Sequence, residues 1–347
     1  MRSDLAPVAR ERLAAQLLTG PPARTPYDVV ERLLAVQAQD ARGARLAVRA
    51  RSVGLYASDV DRALNDRELV VSWLNRGTLH LVGAEDYWWL HELTTPQLAT
   101  GNATRLRQEG VDADAAERGV AAVVAALASY GPLTRAALRE YVAEAGVRAE
   151  GQALVHLLFL ATLRGHVVRG PMVGKEQAFV LVDDWLGRRP AVDRDVALAE
   201  LARRYLRGHA PASDRDLAKW AGIPLRDARA GLRTIESEIV ARDDGLVALA
   251  LSRPRAGDGP APRLLGAYEP LLLGWTSREH VLGHEAQQRL VADNGLFRPF
   301  ALVGGRAVAT WSLNGEHVSL SPFAEMSSAD DEEIRKDADA VVRFLNG

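Results

Sequence analysis

Two stretches of this chain, 115–183 and 196–251, each run helix, helix, helix, β-hairpin, and the residues after 262 alternate apolar and polar positions around glycine turns. With a more degenerate copy of the same order at the N-terminus, these patterns predict a mostly helical α+β fold. It comprises three tandem winged helix-turn-helix units followed by a C-terminal β-barrel. The expected boundaries are 1–114, 115–192 and 193–252 for the three units, and 263–347 for the barrel with a terminal helix.

In the N-terminal third, apolar residues at helical spacing mark helices at 7–18, 26–36, 57–64 and 84–93, with a strand at 78–82. The middle unit is sharper. Residues 115–129 form a helix that Tyr130-Gly131-Pro132-Leu133 breaks, and Thr134 is placed to cap the next one, 135–144. A third helix, 152–163, is apolar on nearly all sides, and two β-type runs, 166–168 and 177–183, are joined by 169–175. In the following unit, helix 196–206 precedes the cap Ser213, helix 214–221, the break Gly222-Ile223-Pro224 and helix 225–237. Segments 238–242 and 246–251 then flank Asp243-Asp244-Gly245, a strong hairpin signal. A Pro/Gly-rich linker at 253–262 leads to β-type segments at 264–275, 297–305 and 306–313, with Gly304-Gly305 as a turn. The last helix, 330–345, lines up Ile334, Ala338, Val341 and Leu345 on one face.

Composition narrows the function classes. With 347 residues, 48% of them hydrophobic, the chain can bury several cores. No apolar run approaches the roughly 18 residues of a membrane span, and the charges scattered through the first residues do not suit a secretory signal. Zero cysteines exclude disulfides, thiolate metal sites and cysteine nucleophiles, so a reduced cytoplasmic setting is expected. A net charge of -2 disfavours a protein wrapped all round by nucleic acid but leaves room for a basic channel. The basic residues are almost all arginine, suited to bidentate phosphate contact, with lysine only at 175, 219 and 336.

The most informative residues are Gln37 and Gln39, in AVQAQDARGARLAVRAR, where a helix ends and an arginine-dense run begins. Neither amide titrates, so the pair cannot be an acid or base. It can hold a water by its carbonyl oxygens and donate through its NH2 groups. Arg42, Arg45 and Arg49 follow at helical spacing and can form one basic face toward a phosphodiester backbone, with Arg51 just beyond. Asp40 either assists the chemistry as a carboxylate or serves a helix end or an arginine. Arg76, Thr78 and His80 alternate along a predicted strand, which puts them on one face, either against DNA or as a polar network behind the glutamines. On the hairpin of the middle unit, Arg164, Arg169 and Lys175 are placed for phosphate or minor-groove contact, or simply form a solvated tip. The apolar third helix of that unit is unsuited to reading bases. His280 and His284 are four apart but lack a third ligand, so no metal is expected. No phosphate-cradling glycine loop, serine–histidine arrangement or dinucleotide fingerprint appears, so no cofactor is expected either.

The VQAQD segment, followed by RGTLHLV at 76–82, resembles the AlkZ/YcaQ family of winged-helix DNA glycosylases. Gln37-Ala38-Gln39 matches in full the glutamine–apolar–glutamine motif that is catalytic in its AlkZ-like branch. The other branch carries an aspartate at the position of Gln39. The resemblance covers most of the chain, as far as ALVGGRAVATW at 301–311. It implies a monofunctional DNA glycosylase that hydrolyses the N-glycosidic bond of N7-alkylated guanine, including bulky adducts and interstrand crosslinks, in azinomycin-type self-resistance or DNA repair. Gln37 and Gln39 would be catalytic, and the partner double-stranded DNA with alkylated purines. A monomer without membrane contact, in the cytoplasm and on the nucleoid, is expected. A different class, a non-catalytic winged-helix DNA-binding regulator, would need polar recognition helices, which the third helices do not supply.

Overall fold

The structure is a computed structural model that describes residues 6–250, 260–293 and 295–347; most of the expected linker at 253–262 therefore lies outside the described residues. The chain forms two compact units: Met1–Val60 with Leu198–Gly347, and Asp61–Ala197. Among the described residues, no helix is long and apolar enough to cross a membrane.

In the first unit, helix Pro26–Leu33 starts at a capping box in which Thr25 and Asp28 satisfy each other's backbone N–H groups, at 3.0 Å each. It buries Val29, Val30 and Leu33 and stops three residues before the expected end. Leu34 takes φ 64°, a conformation rare for a branched residue, and the chain leaves the helix as an extended pair, Val36–Gln37. Helix Ala41–Arg49 follows immediately.

Helices Asp214–Ala221 and Leu225–Thr234 and the hairpin Ile239–Ala241/Val247–Leu249 take the expected order, and Ser213 caps the first of them through a box with Asp216. Gly245, at φ 77°, supplies the left-handed position of the hairpin loop.

The C-terminal strands differ from the expected barrel. They form one open antiparallel sheet in the order His317–Pro322, Arg306–Asn314, Phe300–Val303, Arg263–Leu265, and its two edge strands do not meet. The physical reason is that the sheet buries its face without closing. Ala301, Ala309 and Trp311 pack with Ile334, Val341 and Phe344 of the terminal helix Ser328–Asn346, and with Leu46 of helix Ala41–Arg49. The segment 264–275, read as β-type, is a strand only through Leu265; Glu269 and Pro270 then start the short helix Pro270–Leu273. Gly304 and Gly305, both at positive φ (54° and 79°), do make the expected two-residue turn.

In the second unit, helices Ala113–Tyr130, Arg135–Glu144 and Ala153–Leu163 precede the hairpin Val167–Val173/Glu176–Leu181, as the sequence predicts, and Thr134 caps at 3.3 Å from the Ala137 nitrogen. Gly119 lets two of these helices touch closely, since a Cβ there would lie 2.9 Å from Leu157. The hairpin is joined into a wider sheet by Leu69–Trp73, which pairs Val71 with Arg169, and by Leu79–Gly83 beyond it. Trp73 packs against Phe159 and Phe179 at ring-centroid distances of 5.6 Å and 6.4 Å, closing the core. The first hairpin strand runs further than expected, to Val173, whereas the second stops at Leu181, two residues short of its expected end; a bulge between Arg169 and Met172 accommodates Pro171.

Candidate active site

The glutamine segment is short and held at both ends. Upstream, Leu34 and Val36 are fully buried, and downstream Asp40 caps helix Ala41–Arg49, its carboxylate accepting from the Gly43 N–H while its carbonyl accepts from Ala44 at 3.0 Å. Between these anchors Gln37 is buried, 7% exposed, and Gln39 is exposed. The two amides therefore differ in setting: one is fixed within the protein and the other faces solvent. Neither can change charge, so the pair presents amide dipoles and no titrating group.

The first turn of the helix is seated tightly. A Cβ on Gly43 would lie 2.5 Å from the Ala267 carbonyl oxygen, and one on Gly266 would lie 2.8 Å from the Gly43 Cα. Only two glycines permit that approach of backbone to backbone. Leu46, three residues further along, enters the core under the C-terminal sheet. The helix is thus fixed by packing against residues more than 200 positions away in the chain.

The arginine run divides by direction. Arg42 is exposed, and Arg45 is half-buried with its guanidinium donating to the Ala41 carbonyl at 2.9 Å. Arg49 instead turns to the terminal helix, donating to the Asp337 carboxylate at 3.0 Å and to its carbonyl at 3.2 Å. Arg51 is fully buried. It pairs with Glu269, also fully buried, and donates to Gln16 and to the Ala47 carbonyl at 2.9 Å each. The structure therefore does not bring Arg42, Arg45 and Arg49 onto one solvent-facing basic face; Arg49 and Arg51 are part of the scaffold. Sequence reading missed Asp337 and Glu269, and no local signal could have found them, because they meet Arg49 and Arg51 across separations of 288 and 218 residues.

In the second unit, the RGTLH string is a turn and a strand, not a continuous strand. Arg76 lies in the 3-10 turn Asn75–Gly77 at φ 58°, with Gly77 at φ 72°, so the alternation expected for Arg76, Thr78 and His80 begins only at Leu79. The two positive φ values reverse the chain between Leu69–Trp73 and Leu79–Gly83. Thr78 donates to the Asn75 carbonyl at 3.1 Å, and its own carbonyl lies 2.9 Å from His80 Nδ1. That contact makes Nδ1 the protonated nitrogen of a neutral imidazole. Burial pushes the His80 pKa down to about 3; the nearby Arg76 charge adds to the depression and the Thr78 carbonyl opposes it. Next to Arg76, Asn75 is fully buried, and neither of its amide atoms has a hydrogen-bond partner among the described residues.

Of the residues expected on the hairpin, Lys175 is exposed at its tip, beside Gly174 at φ 63°. Arg164 is exposed but paired with Glu117, at 2.8 Å between Nη1 and Oε2. Arg169 is not at the tip. Its guanidinium lies over Trp73 and Phe179, 5.4 Å from each ring, and burial lowers its pKa to about 10. His280 and His284 do not share a helix face either: helix His284–Leu290 starts at His284, and His280 Nδ1 lies 3.3 Å from an Arg12 nitrogen.

Comparison with known proteins places the chain in a family. Residues 30–344 match the family described as DNA glycosylase AlkZ-like. The chain is 26% identical, over 99% of its length and 97% of the relative's, to the interstrand DNA cross-link repair glycosylase of Streptomyces sahachiroi. In fold it is similar to the solved structure of the Streptomyces sahachiroi DNA glycosylase AlkZ, with a TM-score of 0.78 at 24% identity, covering 97% of this chain and 95% of that one. Since the family match spans nearly the whole chain, including the glutamine segment and its capped helix, the chain belongs to the AlkZ-like DNA glycosylases.

Proposed function

We propose that this DNA glycosylase hydrolyses the N-glycosidic bond of N7-alkylated guanine in duplex DNA, and that interstrand crosslinks are among its substrates. The observation that carries the reading is the pair Gln37 and Gln39, one buried and one exposed, on a segment fixed at both ends. The curated relative is named for crosslink repair, which supports extending the substrate class to crosslinked bases.

The chemistry suits amides in place of a carboxylate base. An N7-alkylguanine is already cationic and departs as a neutral base without being protonated. The bond to C1′ then breaks with little acid assistance and leaves an oxocarbenium-like sugar. The remaining task is to hold a water toward C1′ with fixed dipoles, which raises the effective concentration of the nucleophile and costs no reorganisation during the reaction. In this proposal the two glutamine amides hold that water, and Arg42 and Arg45 engage the phosphodiester backbone. Each helix–helix–helix–hairpin order is read as a winged-helix unit, with Lys175 on a wing. Full base flipping is awkward for a base tethered to the opposite strand, so limited distortion of the duplex is expected.

The direct test is incubation with a duplex bearing one N7-linked interstrand crosslink, followed by denaturing electrophoresis. Conversion of the slow crosslinked band to single strands, with alkali-labile sites at the lesion, is the expected result. Binding without unhooking, and without release of a simple N7-methylguanine, would sink the substrate assignment.

A further inference from the structure

Asp40 is the carboxylate nearest in sequence to the glutamine pair, and two roles are open to such a group: direct participation in the chemistry, or fixing the segment. Its side chain accepts from the Gly43 N–H, three residues ahead, and its backbone takes the extended values φ −108° and ψ 114° of a helix cap. The same residue's carbonyl receives the first intrahelical bond, from Ala44 at 3.0 Å. The turn it caps cannot shift, because Gly43 lies against the backbone of Gly266 and Ala267 too closely for any Cβ. The peptide entering Asp40 is the one leaving Gln39, so the cap also holds the backbone from which the exposed glutamine side chain extends.

We propose that Asp40 is a positioning residue: its carboxylate caps helix Ala41–Arg49 and thereby fixes Gln39, and it takes no part in the bond-breaking step. The proposal rests on the reading that Gln37 and Gln39 hold the water. It makes a sharp distinction between two substitutions. Asparagine presents the same acceptor oxygen and is as good a cap as aspartate, whereas alanine has no acceptor. A carboxylate that activates water or faces the sugar cation would be lost in both.

The experiment is single-turnover excision of N7-methylguanine from a duplex by wild type, Asp40→Asn, Asp40→Ala, Gln37→Ala and Gln39→Ala, at several pH values between 5 and 9, with DNA binding measured in parallel. The expected result is that Asp40→Asn stays within about threefold of wild type at every pH, while Asp40→Ala slows about tenfold with little change in DNA affinity, as a small misplacement of the reacting groups would cause. Thermal melts establish that both aspartate variants are folded. An Asp40→Asn variant as slow as Asp40→Ala would overturn the proposal and place the carboxylate in the chemistry; an Asp40→Ala variant at the wild-type rate would overturn it by showing that the cap positions nothing. If Gln37→Ala and Gln39→Ala keep the wild-type rate, the underlying reading fails and the proposal with it. The two kinds of failure are distinguishable, since the first leaves the glutamine variants slow.

Discussion

The carboxylate of Asp337 accepts from the Arg49 guanidinium at 3.0 Å and from the Leu264 N–H at 2.7 Å, so one side chain of the terminal helix ties the helix behind the glutamines to the first strand of the C-terminal sheet. Both partners of the ion pair are largely shielded, at 11% and 16% side-chain exposure. Removing one of them leaves the other charge poorly solvated. Asp337→Ala is therefore expected to cost about 2–3 kcal/mol of stability, measured by urea denaturation. A loss below about 0.5 kcal/mol would place this pair among ordinary surface ion pairs.

The division of the arginine run has its own readout. Arg42→Ala should weaken DNA binding and reduce the slope of log affinity against log salt by about 1, the signature of one lost phosphate contact. Arg49→Ala should lower stability and leave that slope unchanged. Equal slopes for wild type and Arg42→Ala would remove Arg42 from the interface.

Acid sensitivity follows from three buried imidazoles. His80, His209 and His280 each have a pKa pushed by burial from 6.5 down to about 3, with neighbouring arginines adding to the depression. In the unfolded chain they take up protons near pH 6.5, so below that the unfolded state binds more protons than the folded one. Stability is fully present above pH 6.5 and falls as pH drops toward 3, with a slope of up to about 1.4 kcal/mol per pH unit for each histidine. Melting temperatures recorded from pH 7.5 to 5 should decline accordingly. For the same reason, no inflection of the excision rate near pH 6.5 should trace to His80, and one that His80→Gln abolishes would contradict a neutral imidazole.

Gly43 offers a steric test of how the segment is seated. A Cβ 2.5 Å from the Ala267 carbonyl oxygen cannot be absorbed by a rotating side chain. Gly43→Ala should cost about 1–3 kcal/mol and slow excision, even though alanine is the better helix former. A more stable Gly43→Ala variant would show that the two backbones are not in that contact.

How much of this was legible in the sequence depends on range. The caps Thr134 and Ser213, the glycine turn at Gly304-Gly305 and the helix–helix–helix–hairpin orders were legible because each is a local matter of periodicity and turn chemistry. The expected barrel was not, because alternation along a strand does not say whether a sheet closes or is covered by a helix. Ile334, Val341 and Phe344 cover it here. The strand expected through Arg76 broke on two left-handed residues that no apolar pattern signals. In the candidate site, Gln37, Gln39 and the exposed Arg42 were visible as a motif, whereas the burial of Arg51 with Glu269 and the turning of Arg49 to Asp337 depend on residues from the far end of the chain.

The central claim is that two amides, not a titrating group, position the water. Single-turnover excision of N7-methylguanine by wild type, Gln37→Ala and Gln39→Ala, with DNA affinity measured on the same duplex, tests it most directly. The expected result is a loss of about 100-fold or more in rate for each variant with affinity nearly unchanged, the size typical of removing one oriented dipole from a reaction centre. Wild-type rates in both variants would contradict the claim.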